Sequence, residues 1–439
     1  MKMKSTSIRT YKVTPVRHPP DVEISVPGSK SITNRALLLA AFAKGKSTLK
    51  GALKSDDTVV FIDCLKRLGI KTKWQNDRDI IVEGQGRIPE ADEVNLYVGN
   101  AGTACRFLIP ACATSKGRFH FDGTERMRER PLSELIDALE KLGAKFEPAG
   151  KKNLPLTLIA SGLDGGEIEI DTSRSGQFLS GLMMASIRAK RTMIIRPIGN
   201  LVGKHYIDIT YKMMEEFNTP LVREGYKEFI YPINSFGSNN VYKGKVYNIE
   251  PDASTASYFF AAAALTGGKI TVKNLWFESS IQGDIKFLHV LALMGCKITS
   301  TPVGTIVEGR EKLKGVKINM KDISDTFMTL AAIAPFADSP TIISGLAHTR
   351  GQESDRISAM ASELTRLGAK VSTEEGTIKI KPSKLRGCEV QTYNDHRIAM
   401  ALSLIGLKIP EVIITGADCV SKTAPEYFDL LGIIEKAGQ

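Results

Sequence analysis

Six cysteines in 439 residues (Cys64, Cys105, Cys112, Cys296, Cys388 and Cys419) stand at no paired spacing, and no Cys-x-x-Cys occurs. A disulfide framework belongs to small secreted chains, so these read as reduced thiols of a cytoplasmic protein. The six histidines never recur at i, i+4, which leaves no zinc-binding pattern. No metal and no cofactor are expected. Aromatic residues are only 7% of the chain and the basic residues are dispersed, so nothing marks nucleic-acid binding. The longest apolar run, Ala36 to Ala43, is too short to cross a bilayer, and no membrane partner is expected. Residues 1–20 carry five basic and no acidic side chains, yet Tyr11–Val16 reads as the start of a strand rather than as a targeting segment.

Phosphate-binding signatures also fail. Gly45-Lys46-Ser47 looks like the end of a P-loop, but the glycine required upstream falls on Ala40, inside an apolar run. Gly84-x-Gly86 lacks its third glycine, because Pro89 stands there, so no dinucleotide fingerprint exists. What is present is an ordinary soluble composition, 42% hydrophobic and 24% charged, with a net charge of +11. Such a balance suits nucleic acid, an anionic membrane surface or small anionic substrates, and only position can choose among them.

The chain repeats itself. Helical stretches ending in Leu-Gly or a variant close at Gly69, Gly143, Asn218, Gly295, Gly368 and Gly438, in steps of 70 to 77 residues. Two of them share one apolar stripe: Leu132, Leu135, Leu139, Leu142 and Ile357, Met360, Leu364, Leu367. That i, i+3, i+7, i+10 spacing predicts amphipathic helices, each closed by a left-handed cap. Between them lie six helices apolar nearly all round, at 31–43, 103–113, 175–185, 254–265, 325–337 and 395–407, each followed by a β-rich run. A helix apolar on every side must be buried by its neighbours. Six units divided three and three predict two similar α/β domains; a solenoid fits the period alone, but its units are normally shorter. If the starts of the buried helices converge, their dipoles and free N–H groups form an anion trap.

The polar residues gather at those starts. PGSKSITNR (27–35) puts Lys30, Ser31 and Arg35 in a Gly-turn and the first helical turn, where cations serve an anion better than a core. The alternative is a capped, solvated helix start. GNAGTACR (99–106) is a Gly-rich lead into a second helix, or a simple tight turn. RMRERP (126–131) crowds three arginines at a helix start, where the dipole opposes cations unless an anion is bound. QESDR (352–356) and YNDHR (393–397) mix acids with Arg356 and Arg397, for chemistry or for structural ion pairs.

With these motifs the chain is similar to the 5-enolpyruvylshikimate-3-phosphate synthase family. PGSKSITNR, GNAGTACR, RMRERP, the Gln-Phe-Leu at 177–179, DASTASYF (252–259), Gln282-Gly-Asp, ESDR, YNDHR and KTAPEYF (422–428) follow in the family's order from Pro27 to Phe428. The resemblance implies an inside-out α/β barrel fold: two similar domains, each of three βαβαββ repeats around buried helices. It places a discontinuous domain at 1–28 plus 250–439 and an inserted domain at 29–249, with the active site in the cleft between them. It implies transfer of the enolpyruvyl group of phosphoenolpyruvate to the 5-hydroxyl of shikimate 3-phosphate by a monomer, without metal. Lys30, Ser31, Arg35, Ser175, Gly176, Gln177, Tyr206 and Asp325 are then expected to hold shikimate 3-phosphate. Lys30, Gly102, Arg126, Gln177, Arg356, Arg397 and Lys422 are expected at phosphoenolpyruvate. Lys30, Asp325 and Glu353 are the implied catalytic groups.

This chain departs from the family pattern at several positions. Gln352 replaces a usual lysine, Gly176 and Gly203 replace serines, His348 replaces a common asparagine, and Phe107 a frequent proline. These changes keep open a relative acting on another phosphorylated cyclitol. The sister transferase acting on UDP-N-acetylglucosamine fits less well, because its active-site loop typically presents a cysteine and none lies in 113–130. A non-catalytic anion-binding protein would have no need of both Asp325 and Glu353.

Overall fold

The computed structural model describes residues 9–219, 221–233 and 241–439. Of the basic N-terminal segment, residues 1–8 lie outside the described residues. The chain forms two compact units, one of Gly28–Glu250 and one joining the segment up to Pro27 with Pro251–Gln439.

In the Gly28–Glu250 unit three four-stranded sheets share one plan. A parallel pair is extended by two antiparallel strands: Ala91–Tyr97 pairs parallel with Lys116–Asp122, then come Leu156–Ser161 and Lys145–Glu147. Gly166–Asp171, Met193–Ile198, Glu228–Tyr231 and Val222–Glu224 repeat it. So do Val246–Asn248, Lys44–Lys50, Ile80–Gln85 and Lys71–Trp74, with the last strand in sequence serving as the first in the sheet. Parallel neighbours need a crossover. The helices Gly102–Ala113 and Gln177–Ala185 supply two of them.

The other unit uses the same plan. Two sheets are complete: Asp21–Ile24, Lys269–Lys273, Gly304–Glu308, Lys297–Thr301, and Lys317–Asn319, Thr341–Ser344, Thr377–Lys381, Lys370–Glu374. The third has three strands, Glu389–Gln391, Ile413–Thr415 and Thr10–Lys12. The strand expected from Tyr11 is therefore shorter and begins one residue earlier.

The apolar helices are buried on all sides: all residues of Gly102–Ala113, Ala253–Thr266, Phe327–Ile333 and His396–Gly406 are buried. In Lys30–Phe42 only Lys30 and Ser31 are not, and in Gln177–Ala185 only Gln177. In these two helices exposure thus survives only at the start. The predicted stripes at 132–142 and 357–367 are wholly buried, as the period demands. Gly69, Gly143, Asn218, Gly295 and Gly368 take positive φ after their helices, whereas Gly438 does not. The helix expected over 325–337 is broken: 3-10 turns at Lys321–Thr326 and Ala334–Phe336 flank Phe327–Ile333. Gly45-Lys46-Ser47 lies within a strand, which removes any phosphate loop there.

Candidate active site

In the Gly28–Glu250 unit Ser29 caps Lys30–Phe42, and Lys30 at its first position lies 3.6 Å from Asp57. Arg35 corrects the expectation that cations at this helix start avoid the core. It is 2% exposed, with Nε donating to Thr210 Oγ1 (2.7 Å), Nη1 to Ser31 O (3.0 Å), and Nη2 to Ser180 Oγ (3.3 Å) and Tyr206 O (3.1 Å). Its guanidinium also lies over the rings of Phe107 and Tyr206. A planar cation with five donors and two faces suits such a cage. Burial lowers its pKa to about 10. Arg35 therefore ties its own helix to Gln177–Ala185 and Lys204–Glu216.

Gln177 is the one residue of its helix left partly exposed, and Arg106 Nη1 donates to its Oε1 at 2.9 Å. Ser175 Oγ accepts from Gln177 N. Gly176 and Gly203, where the family carries serines, have backbone reasons here. A Cβ on Gly176 would stand 2.5 Å from Val202 O, and Gly203 has φ 65° as the N-cap of Lys204–Glu216.

RMRERP also departs from expectation. Its helix, Glu125–Glu129, is one turn long and has Arg126 and Arg128 in its last turn, where the dipole favours cations. Arg126 pairs with Glu129 (2.9 Å) and Arg128 with Asp122 (2.8 and 2.7 Å), both near the surface. Only Arg130 is buried, against Gly102.

In the other unit the expected residues meet around Arg356. This side chain is 1% exposed, and its five N–H donors are all engaged. Nε donates to Asp395 Oδ2 (2.9 Å), Nη1 to Asp325 Oδ1 (3.1 Å) and to Gln352 Oε1, and Nη2 to Glu353 Oε2 (2.9 Å) and Asp395 Oδ1 (3.4 Å). Burial opposes its charge, but Asp395, Glu353 and Asp325 outweigh burial and raise its pKa. Arg397 Nη2 holds the second oxygen of Asp325 at 2.9 Å, and Lys422 Nζ stands 4.0 Å from Glu353. His348 Nε2 shares a hydrogen bond with Ser324 Oγ at 2.8 Å; burial lowers its pKa against the pull of Asp325.

Asp325, Glu353, Arg356, Arg397 and Lys422 thus form one cluster. Lys30, Ser31, Arg35, Ser175, Gly176, Gln177, Tyr206, Gly102 and Arg126 belong to the Gly28–Glu250 unit. Reading the sequence passed over three groups. Asp395 caps His396–Gly406 and anchors Arg356; it sits inside YNDHR. Asp284, in Gln-Gly-Asp, accepts from Ser254 Oγ, and burial together with Asp325 pushes its pKa up to about 7. Arg106 sits in GNAGTACR. All three were within motifs already noticed, but only packing reveals which atoms they touch.

A chain of two similar α/β units, with cations gathered at buried helix starts and carboxylates paired to buried arginines, has the makings of a group transferase for anionic substrates. Its fold is that of solved EPSP synthases from Acinetobacter baumannii, with a TM-score of 0.80 over 97% of this chain and 98% of theirs, at 22% identity. The family model for EPSP synthase (3-phosphoshikimate 1-carboxyvinyltransferase) matches residues 17–431. Curated 3-phosphoshikimate 1-carboxyvinyltransferases of Nostoc punctiforme and Marinomonas sp. are 41% and 42% identical, covering 95% and 94% of this chain and 97% and 96% of theirs. The chain belongs to the EPSP synthase family.

Proposed function

We propose that this chain joins phosphoenolpyruvate to shikimate 3-phosphate, releasing inorganic phosphate. The observation that carries this reading is the Arg356 cluster, in which two carboxylates suited to proton transfer, Asp325 and Glu353, share one buried guanidinium. The 5-hydroxyl oxygen attacks C2 of the enol phosphate and Asp325 takes its proton. Glu353 in its acid form protonates the methylene to give a tetrahedral adduct. Loss of the methyl proton back to a carboxylate then restores the vinyl group as the C–O bond to phosphate breaks. Arg356, Arg397 and Lys422 with Lys30 and Arg126 neutralise the charge moving to the leaving phosphate. Because the donors of Arg356 are all engaged, an incoming anion takes the place of one acceptor, and the neutral Gln352 amide is the cheapest to give up.

Lys30, Ser31, Arg35, Ser175, Gly176, Gln177 and Tyr206 are assigned to shikimate 3-phosphate, Arg35 chiefly by holding Ser31 and Tyr206 in place. The two compact units are read as the family's two domains. A cytoplasmic monomer is proposed with this activity. The test is phosphate release on mixing the protein with both substrates at millimolar concentration. Release no greater than in a control lacking shikimate 3-phosphate would sink the reading.

A further inference from the structure

In the sheet of Ala91–Tyr97, Lys116–Asp122, Leu156–Ser161 and Lys145–Glu147, alternate side chains face opposite ways. Phe119, Phe121, Leu156 and Leu158 are buried in the core, while Arg118, His120 and Thr157 stand on the other face. His120 lies directly opposite Thr157 in the antiparallel register, and Glu93 reaches it from the parallel neighbour. The ring is bonded at both nitrogens, Nδ1 to Thr157 Oγ1 at 2.7 Å and Nε2 to Glu93 Oε1 at 2.7 Å. None of these residues belongs to the site assigned to the two substrates.

The partners fix the tautomer. A carboxylate accepts and never donates, so the proton of the neutral ring sits on Nε2. Nδ1 is then an acceptor, and the Thr157 hydroxyl donates to it. Carboxylate, imidazole and hydroxyl therefore stand in the order that takes a proton from an alcohol, with the carboxylate orienting the base. Among the described residues this is the one hydrogen bond of the Thr157 hydroxyl. Arg118 Nη2 pairs with Glu147 Oε2 at 2.7 Å, and Glu147 stands opposite Thr157 on the far side of the Thr157 strand. Their ion pair has to cross that strand, which brings the guanidinium close to Thr157, where a carbonyl oxygen under attack gains charge. With 29% of its side chain exposed, His120 is open to a small reagent.

We propose that Thr157 is a nucleophile, activated by His120 and oriented through Glu93, that accepts an acyl group from a small activated ester. Its Oγ1 forms a bond to the carbonyl carbon, and the bond from that carbon to the leaving aryloxide breaks. The hydroxyl proton passes to His120 Nδ1 and from there to water, while Glu93 holds the Nε2 proton in place. The products are an O-acylthreonine and the free aryloxide. His120 is the base, and Glu93 is its positioning residue.

The test mixes the full chain with p-nitrophenyl acetate, follows release of p-nitrophenolate, and locates the acetyl groups by peptide mass spectrometry. Thr157 is expected to be acetylated at least about tenfold faster than Thr299, a partly exposed strand threonine of the other unit. His120→Gln keeps a hydrogen-bonding side chain but removes the base, and should bring Thr157 down to the rate of Thr299. A purely structural role for His120 would leave that rate unmoved. Glu93→Gln admits either tautomer of the ring and should slow acetylation of Thr157 by about tenfold. No acetyl group on Thr157, a rate equal to that of Thr299, or an unchanged rate in His120→Gln would overturn the inference. If His120→Gln does not fold by circular dichroism, Glu93→Gln decides in its place, and a rate within about twofold of wild type overturns the inference.

Discussion

Asp395→Ala isolates what holds the Arg356 cluster together. Asp395 is fully buried and accepts from Arg356 Nε and Nη2, from Ser354 Oγ and from the backbone N–H of Arg397. Removing one partner of a buried pair costs about 3–5 kcal/mol. Losing a helix cap adds about 1 kcal/mol. Because Arg356 keeps Asp325 and Glu353, the lower end applies, and we expect about 3–4 kcal/mol. At a urea slope of about 2 kcal/mol/M this lowers the unfolding midpoint by about 1.5–2 M. The two tryptophans make the measurement local, since Trp276 lies in the unit containing Asp395 and Trp74 in the other. In a Trp74→Phe background, Trp276 fluorescence should report the shift. Trp276→Phe with Trp74 as reporter should show a much smaller one. Asp395→Asn keeps one oxygen acceptor but loses the other and the charge, and is expected to cost about 1–2 kcal/mol. An Asp395→Ala shift below about 0.3 M, or equal shifts from both tryptophans, would refute the idea that this carboxylate anchors a buried cation.

The remaining expectations are read from turnover and stability. Lys30→Ala should lower phosphate release by about a hundredfold or more, whereas Lys46→Ala, on an exposed strand position, should leave it within about twofold. Asp325→Asn and Glu353→Gln should each lower kcat by about 10²–10⁴-fold if they carry protons, and retained turnover in either removes that role. For Asp284 the folded pKa of about 7 exceeds the usual carboxyl value, so the folded state holds a proton that the unfolded state loses between about pH 4 and 7. Stability should therefore fall across that window by about 4 kcal/mol and level off above it, and Asp284→Asn should flatten the fall in urea midpoints. Restoring the family serine with Gly203→Ser places a side chain at φ 65° and should cost about 1–2 kcal/mol, read as a lower Tm without a gain in phosphate release.

How far the site was legible depended on the kind of signal. Hydrophobic period exposed the six buried helices and the two stripes, because burial of one face or of all faces leaves a local imprint. The motifs marked which residues matter, but not their partners. RMRERP shows the difference. Its arginines look alike in sequence, yet Arg126 and Arg128 are surface ion pairs while Arg130 is buried on Gly102. The dipole argument failed there because the helix is a single turn. Arg35 misled in the opposite direction, since its cage comes from Thr210, Ser180 and Tyr206, about 145 to 175 residues away in the chain.

From the sequence alone followed the sixfold repeat, the small-anion chemistry and the family resemblance, because each resides in short-range pattern and motif order. Only tertiary structure decided that Arg356 is saturated by three carboxylates and Gln352, that Asp284 shares the field of Asp325, and that Gly176 and Gly203 answer to backbone geometry. Those outcomes depend on contacts between distant segments and on how far each group is removed from water. Charge in a protein is set by its surroundings more than by its spelling, and the surroundings exist only after the chain has folded.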